Sequence, residues 1–215
     1  PILAYSPVVL CVFGADSGLC GQYNQNIFRA AQEFLQQYAP EKIKLVLIGQ
    51  KALNYFKDAR QEILRAYNGL NGKFSREFCD EITSQLSRLF LSGQASRIYL
   101  AYTYFENSLN QNPVIEQLLS IQPRQSKAVD YIAEPDLKSI LDDLIPRYLQ
   151  IKLQLVLLES FTCEHAARVV SMKTATDNAK ELLERLVLFR NKMRQAGITQ
   201  DILEITSSAE ALKGN

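Results

Sequence analysis

Residues 172–196 read MKTATDNAKELLERLVLFRNKMRQA, and their spacing decides the architecture. Met172, Ala175, Ala179, Leu182, Leu186, Phe189, Met193 and Ala196 step alternately by three and four. All are apolar or small, the pattern of a coiled-coil seam over more than three heptads. Ile198, Ile202, Ile205, Ala209 and Leu212 continue the rhythm on a shifted face after Gly197. Upstream, Arg147 to Ala196 runs 50 residues without a Gly or Pro. Carried on to about Leu212, such a helix would extend on the order of 100 Å at 1.5 Å per residue. That is several times the width of an ordinary domain, and the chain holds no second helix of that length to cover the seam. The helix is built for a partner segment.

Before it, Glu134-Pro135-Asp136 reads as a helix start, with Pro near the first turn. Pro146 is expected to break or kink that helix after one short piece. From Asp136 onward 11 basic and 11 acidic residues cancel, so the long helix is not a basic nucleic-acid arm.

The first part has a different rhythm. Pro7–Phe13 is a continuous apolar run, followed by a Gly-bearing turn and a helical pattern from about Asn24 to Tyr38. Lys44–Gly49 is a second buried-strand signal, with a short amphipathic stretch near Ala52–Asp58. Ser75 to Leu91 carries Phe78, Ile82, Leu86, Leu89 and Phe90 at core-facing helical spacing, with Ser75 as N-cap. Arg97–Tyr104 is rich in β-formers. From Asn107 to Asp130 the chain is polar, with Pro113 and Pro123, and reads as loops around a further short strand. Strands separated by helices predict an α/β fold with a Rossmann-like, largely parallel sheet and flanking helices. The expected division is 1–133 for that domain and 134–215 for a helical region, its long helix spanning about 147–212.

The whole chain has 215 residues, 47% hydrophobic and 22% charged, as ordinary globular proteins are. With 24 Lys+Arg against 23 Asp+Glu, the net charge of +1 argues against binding nucleic acid by bulk charge. No apolar run reaches the roughly 18 residues of a membrane span. The start, Pro1-Ile2-Leu3-Ala4-Tyr5, shows no signal-peptide pattern and no initiator Met, as in a processed, trimmed or partial chain. Cys11, Cys20, Cys79 and Cys163 are scattered without metal-ligand spacing, and His165 is the one histidine. A reducing compartment, with Cys11 as a buried thiol, is the expectation.

Three groups could carry chemistry or contacts. Gly14, Gly18 and Gly21 lie in a strand-to-helix turn where dinucleotide folds place a phosphate, but the spacing is GxxxGxxG and no ribose-binding acid follows the second strand. A tight turn is the plainer reading. Cys20 has no neighbouring base in sequence to activate it. Glu164 and Arg168 stand four apart on one helical face, as a solvated ion pair or as part of a partner surface. Arg194, Gln195 and Thr199 form another polar patch where the seam shifts; in isolation they are simply exposed helix residues.

Two blocks of sequence carry a family resemblance. Asp16-Ser17-Gly18-Leu19-Cys20-Gly21 with Asn24 and Asn26 is similar to D-[RS]-G-L-C-G-G-x-N-x-N, with Gln22 in place of a second Gly. Glu164-His165-Ala166-Ala167-Arg168 through Met172 to Ala179, then Asn191 to Ile205, fit E-x-A-A-R-x-x-A-M-x-x-A-[ST]-x-N and N-x-x-R-Q-A-x-I-T-x-E-[LI]-x-E-[IV]. From about Pro7 to Leu212 the chain resembles the gamma subunit of F-type rotary ATP synthases.

That resemblance implies an α/β domain and a long C-terminal helix paired with an antiparallel N-terminal helix, together the rotor shaft inside a hexamer of alpha and beta subunits. It implies no catalytic residues, no cofactor and no metal. Ion flow through a membrane ring is coupled to ATP synthesis or hydrolysis by rotation. Arg194, Gln195 and Thr199 would contact the catch loop of an empty-site beta subunit. Glu164 and Arg168 would lie at the neck, near the beta subunit's acidic lever loop. The globular domain would face epsilon and the membrane c-ring, peripheral to the cytoplasmic or equivalent face of an energy-transducing membrane, without inserting into it. The family's N-terminal helix would precede Pro1, leaving this chain an incomplete shaft. Between Gln111 and Asp130 no long insert with a cysteine pair is read, which disfavours the thiol-regulated chloroplast and insert-bearing cyanobacterial forms. The other classes are an interaction adaptor that docks its long helix on a foreign helical partner, and a nucleotide-binding enzyme using the Gly14–Gly21 turn.

Overall fold

A computed structural model describes residues 7–108, 110–120 and 137–213. Three apolar runs become the parallel heart of a sheet: β1 (Val8–Phe13), β2 (Ile43–Ile48) and β4 (Arg97–Phe105). Between them lie α1 (Tyr23–Leu35), α2 (Gln50–Phe56), β3 (Glu62–Tyr67) and α3 (Arg76–Leu91); β5 (Gln111–Ser120) and α4 (Leu137–Lys213) follow. The five-stranded sheet has the order β3-β2-β1-β4-β5. β1 pairs parallel with β2 and β4, β2 parallel with β3, and β5 antiparallel with β4. The fold is α/β, as the alternation of strands and helices predicts.

The alternation of side chains along β1 shows why both faces are covered. Val8, Leu10 and Val12 join Ile27, Phe28, Ala31 and Leu35 of α1 and Ala52 and Phe56 of α2 in one core layer. Val9, Cys11 and Phe13 join Ile82 and Leu86 of α3 on the other side, together with Leu149, Leu153, Val156, Leu157 and Phe161 of α4. A strand buried on both faces reads as a continuous apolar run. Ser75 caps α3 as its position predicts, its hydroxyl accepting from the Phe78 N–H at 3.3 Å.

Four features differ from the sequence reading. β3 was not foreseen: it is an edge strand whose side chains Glu62 and Ala66 face solvent, so EILRAY lacks a continuous apolar signature. β5 is ten residues long rather than a short strand, and carries Pro113 on the sheet's edge, where a missing N–H is tolerated. The α4 helix does not break at Pro146 but passes through it from Leu137 to Lys213. A proline inside a helix costs about 3 kcal/mol. The five apolar α4 residues buried just beyond it offset that cost several times over, at about 1.5–3 kcal/mol each. Finally, the sequence reading divides the chain at 133/134, whereas packing divides it into compact units Pro1–Ser171 and Met172–Asn215. The first unit takes in the α4 residues that cover the sheet. The helix start read at Glu134–Asp136 lies outside the described residues, as does Pro123.

Candidate functional site

In a parallel sheet the turns after adjacent strands gather at the carboxyl edge. Here the Gly14 N–H donates to the Ile48 carbonyl at 2.8 Å and the Gly49 N–H to the Tyr67 carbonyl at 2.7 Å. The turns are packed against one another. Gly49 has φ +93°, and a Cβ there would sit 2.2 Å from the Gly14 oxygen. At Gly14 a Cβ would meet the Phe28 ring at 3.0 Å and Ala52 at 3.1 Å, so the first glycine lets α1 and α2 approach the strand.

Asp16 ties the three turns together. Its carboxylate accepts the Gln50 N–H at 2.9 Å, at the first turn of α2, and the Asn71 N–H at 2.7 Å, in the loop after β3. Asn24 of α1 accepts the Ala15 N–H through Oδ1 at 2.9 Å and donates Nδ2–H to Cys20 Sγ at 3.2 Å. In the turn between β1 and α1 the Ala15 N–H is thus held by Asn24, while the Asp16 carboxylate of the same turn is engaged by amides of the two neighbouring turns. The turn is a structural tie. Leu19, at φ +61° and 71% exposed, is its strained and outward-facing tip.

The α4 helix closes on this turn. Glu164 is 1% exposed, so the pair with Arg168 is not a solvated one. The Arg168 guanidinium uses all three of its nitrogens. Nη2 donates to Glu164 Oε1 at 2.6 Å, Nε to the Gly18 carbonyl at 3.3 Å, and Nη1 to His165 Nδ1 at 3.3 Å. His165 Nε2 lies 3.0 Å from the Gly72 carbonyl oxygen. Beneath them Ala15, Cys20, Tyr23 and Cys163 form a small apolar cluster. Burial pushes the Cys20 thiol up, Glu164 adding to it and Arg168 opposing. Burial likewise raises Cys163, to about 12, and Tyr23. A thiol kept protonated is no nucleophile. Among the described residues no group of three His, Cys, Asp or Glu side chains is placed to hold a metal ion.

The described residues of the second unit, 172–213, are a single stretch of helix. Leu182 is 58% exposed, Leu186 55%, Phe189 63% and Met193 58%; Ala175, Ala179 and Ala196 are also open, and Met172 is half-buried. Arg194, Gln195 and Thr199 are exposed. Contiguous apolar surface on this scale marks an interaction face. Sequence reasoning missed a second stripe, in the first unit: Leu144, Tyr148, Ile151, Leu155 and Leu158 of α4 are exposed at 4,3,4,3 spacing. Its signal was present in the spacing but interleaved with the residues that pack on the sheet. No helix among the described residues is long and apolar enough to cross a membrane.

Residues 4–212 match the protein family described as ATP synthase. The ATP synthase gamma chain of Protochlamydia amoebophila is 41% identical over 210 residues, covering 96% of this chain and 74% of that one. The gamma chain of Amoebophilus asiaticus is 39% identical over 212 residues, 95% of this chain and 73% of that one. In fold, a chain of the Euglena gracilis mitochondrial ATP synthase (OSCP/F1/c-ring, rotational state 3) superimposes with a TM-score of 0.77 at 20% identity, over 96% of this chain and 73% of that one. A chain of the Euglena rotor in rotational state 1 gives 0.70 at 17% identity, over 92% and 76%.

Proposed function

The chain belongs to the ATP synthase gamma-chain family, and from that premise we propose that it works as the central-stalk rotor of an F-type ATP synthase. It turns inside the alpha/beta hexamer and couples ion flow through the membrane ring to ATP synthesis or hydrolysis. The observation that carries this reading is the open seam from Met172 to Ala196, a helix face with no cover in its own unit. Packing that seam against the antiparallel N-terminal helix of the family makes the shaft. The subunit is not itself catalytic. It sits peripherally, its α/β domain toward epsilon and the c-ring, on the cytoplasmic or equivalent face of the membrane.

The mechanism is a shift of populations. An asymmetric shaft offers each beta subunit a different surface, and only such differential contact moves a conformational equilibrium. Taking a site from 1:99 to 99:1 needs about 5.5 kcal/mol of difference. Two or three hydrogen bonds to charged groups, at about 1.5–3 kcal/mol each, are of that size. Arg194, Gln195 and Thr199 are exposed on the helix; in this reading they make such bonds with the catch loop of an empty-site beta subunit. Glu164 and Arg168 act at the neck, beside the acidic lever loop of beta.

Native mass spectrometry of the chain with matched alpha and beta subunits, with and without a peptide of the family's N-terminal helix, tests the reading. One copy per three alpha and three beta, strengthened by the peptide, is expected. A chain that self-associates and leaves alpha and beta unbound in both mixtures overturns it.

A further inference from the structure

The seam of the second unit runs large, small, small, large, large, large, large, small: Met172, Ala175, Ala179, Leu182, Leu186, Phe189, Met193 and Ala196. Turned end for end, the same series opposes every alanine to a large side chain. Met172 of one copy then faces Ala196 of the other, Ala175 faces Met193, Ala179 faces Phe189, and Leu182 faces Leu186. All four pairs share one midpoint, Glu184. Each contact therefore occurs twice, as an interface with two-fold symmetry requires. We propose that the Met172–Ala196 face is the site at which two copies of this chain pair as an antiparallel coiled coil.

Packing and charge both select this arrangement. A coiled-coil core fills when large residues of one helix oppose small ones of the other. A parallel pair in register sets each alanine against its own copy, which leaves open layers, and Phe189 against Phe189. It also brings Arg185 at one flank of the seam to Arg190 at the other. Antiparallel pairing takes Arg190 to Thr176 and Lys192 to Asn178, and lays Leu183, 63% exposed, against its own copy beside the core. Only Arg185 meets its like, and Glu181 of its own helix pairs with it at 2.5 Å. Leu182, Leu183, Leu186, Phe189 and Met193 are each more than half exposed. Together they offer roughly 500 Å² per copy, so a pair buries about 1,000 Å², the size a specific interface needs. The inference rests on the seam that carries the rotor reading: the second copy occupies the face that the N-terminal helix takes in a shaft.

Sedimentation equilibrium of the 215-residue chain should show a concentration-dependent dimer. Ala179→Phe opposes two phenylalanines and Phe189→Ala opposes two alanines, and each should weaken dimerisation at least about tenfold. Both changes in one chain restore small against large, and should return the dissociation constant to within about threefold of the parent. Both positions are open in the single chain, so neither change enters its core. A spin label on Lys173→Cys reads the direction, since the four native cysteines are buried. In the antiparallel pair the two labels should lie about 33 Å apart along the axis, at 1.5 Å per residue, and a parallel pair would bring them within about 15 Å. A chain monomeric at every concentration, a double variant without rescue, or the short distance each overturns the inference, and each leaves the rotor reading standing. That reading is judged apart, by a peptide of the family's N-terminal helix. The peptide should turn dimers into one-to-one complexes; a peptide that does not bind counts against the rotor and not against the dimer.

Discussion

The carbonyl oxygen of Gly18 accepts a hydrogen bond from Nε of Arg168, 3.3 Å away across 150 residues of sequence. One side chain of α4 thereby holds the turn after β1, and the same guanidinium neutralises the buried Glu164. Glu164 and Arg168, which the sequence offers as a solvated ion pair or as part of a partner surface, are built into the fold, so mutations in them act on its stability.

Arg168→Ala leaves Glu164 buried without its counter-charge. Breaking a buried pair from one side costs about 3–5 kcal/mol. Urea unfolding of the chain should show a loss of that order, while Glu164→Gln with Arg168 retained should cost less, because the buried negative charge goes too. Equal stability for parent and Arg168→Ala would contradict the burial seen here.

Gly49 and Gly93 both have positive φ, at +93° and +73°, but differ in space: a Cβ on Gly49 strikes the Gly14 carbonyl, and one on Gly93 meets nothing within 4 Å. Gly93→Ala carries the backbone strain alone, about 1 kcal/mol, the low end of the usual range. Gly49→Ala adds a clash with backbone between two strands and should cost at least about 3 kcal/mol or fail to fold. Parallel thermal melts of the two variants check the order.

Arg194→Ala combined with Gln195→Ala touches only exposed side chains. Chain stability should stay within about 0.5 kcal/mol, as for ordinary surface changes. In the assembled complex the double variant should slow ATP synthesis and weaken coupling between rotation and hydrolysis. Normal rotation and synthesis would remove the catch-loop assignment.

Glu159 of α4 has its carboxyl pushed up, first by burial and then by Glu116, with Lys152 opposing; Lys152 itself pairs with Glu116 at 2.8 Å. An acid raised in the folded state binds more protons folded than unfolded, so its ionisation lowers stability as pH rises through the raised value. Glu159→Gln should therefore stabilise the chain at pH 7, and the gain should shrink as pH falls through the carboxylate range. Stability compared at pH 7 and pH 4 reads this directly. A gain that grows toward acid would have the wrong sign.

What one stretch of chain can carry in its own periodicity was legible in the sequence. Val8–Phe13 had to be a doubly covered strand, since a continuous apolar run bounded by turn residues has no polar face, and Leu45–Ile48 carries the same signal beside Lys44. Ser75 announced the start of α3 by its hydroxyl. The seam from Met172 to Ala196 announced a long helix that needs company, because heptad spacing is a property of the segment itself. β3 stayed hidden because an edge strand buries too little to leave an apolar run, and Pro146 misled because local geometry counts its cost while the helix packing beyond it supplies the compensation.

Which residues meet was decided by tertiary structure alone. Asp16, Gln50 and Asn71 come together only because parallel strands deliver their turns to one edge, and Glu164 is buried only because α4 lies over that edge. Burial and hydrogen-bond partnership depend on the distance between segments far apart in sequence. Periodicity decides what each element is, and the connectivity of the sheet decides what Arg168 and His165 can touch.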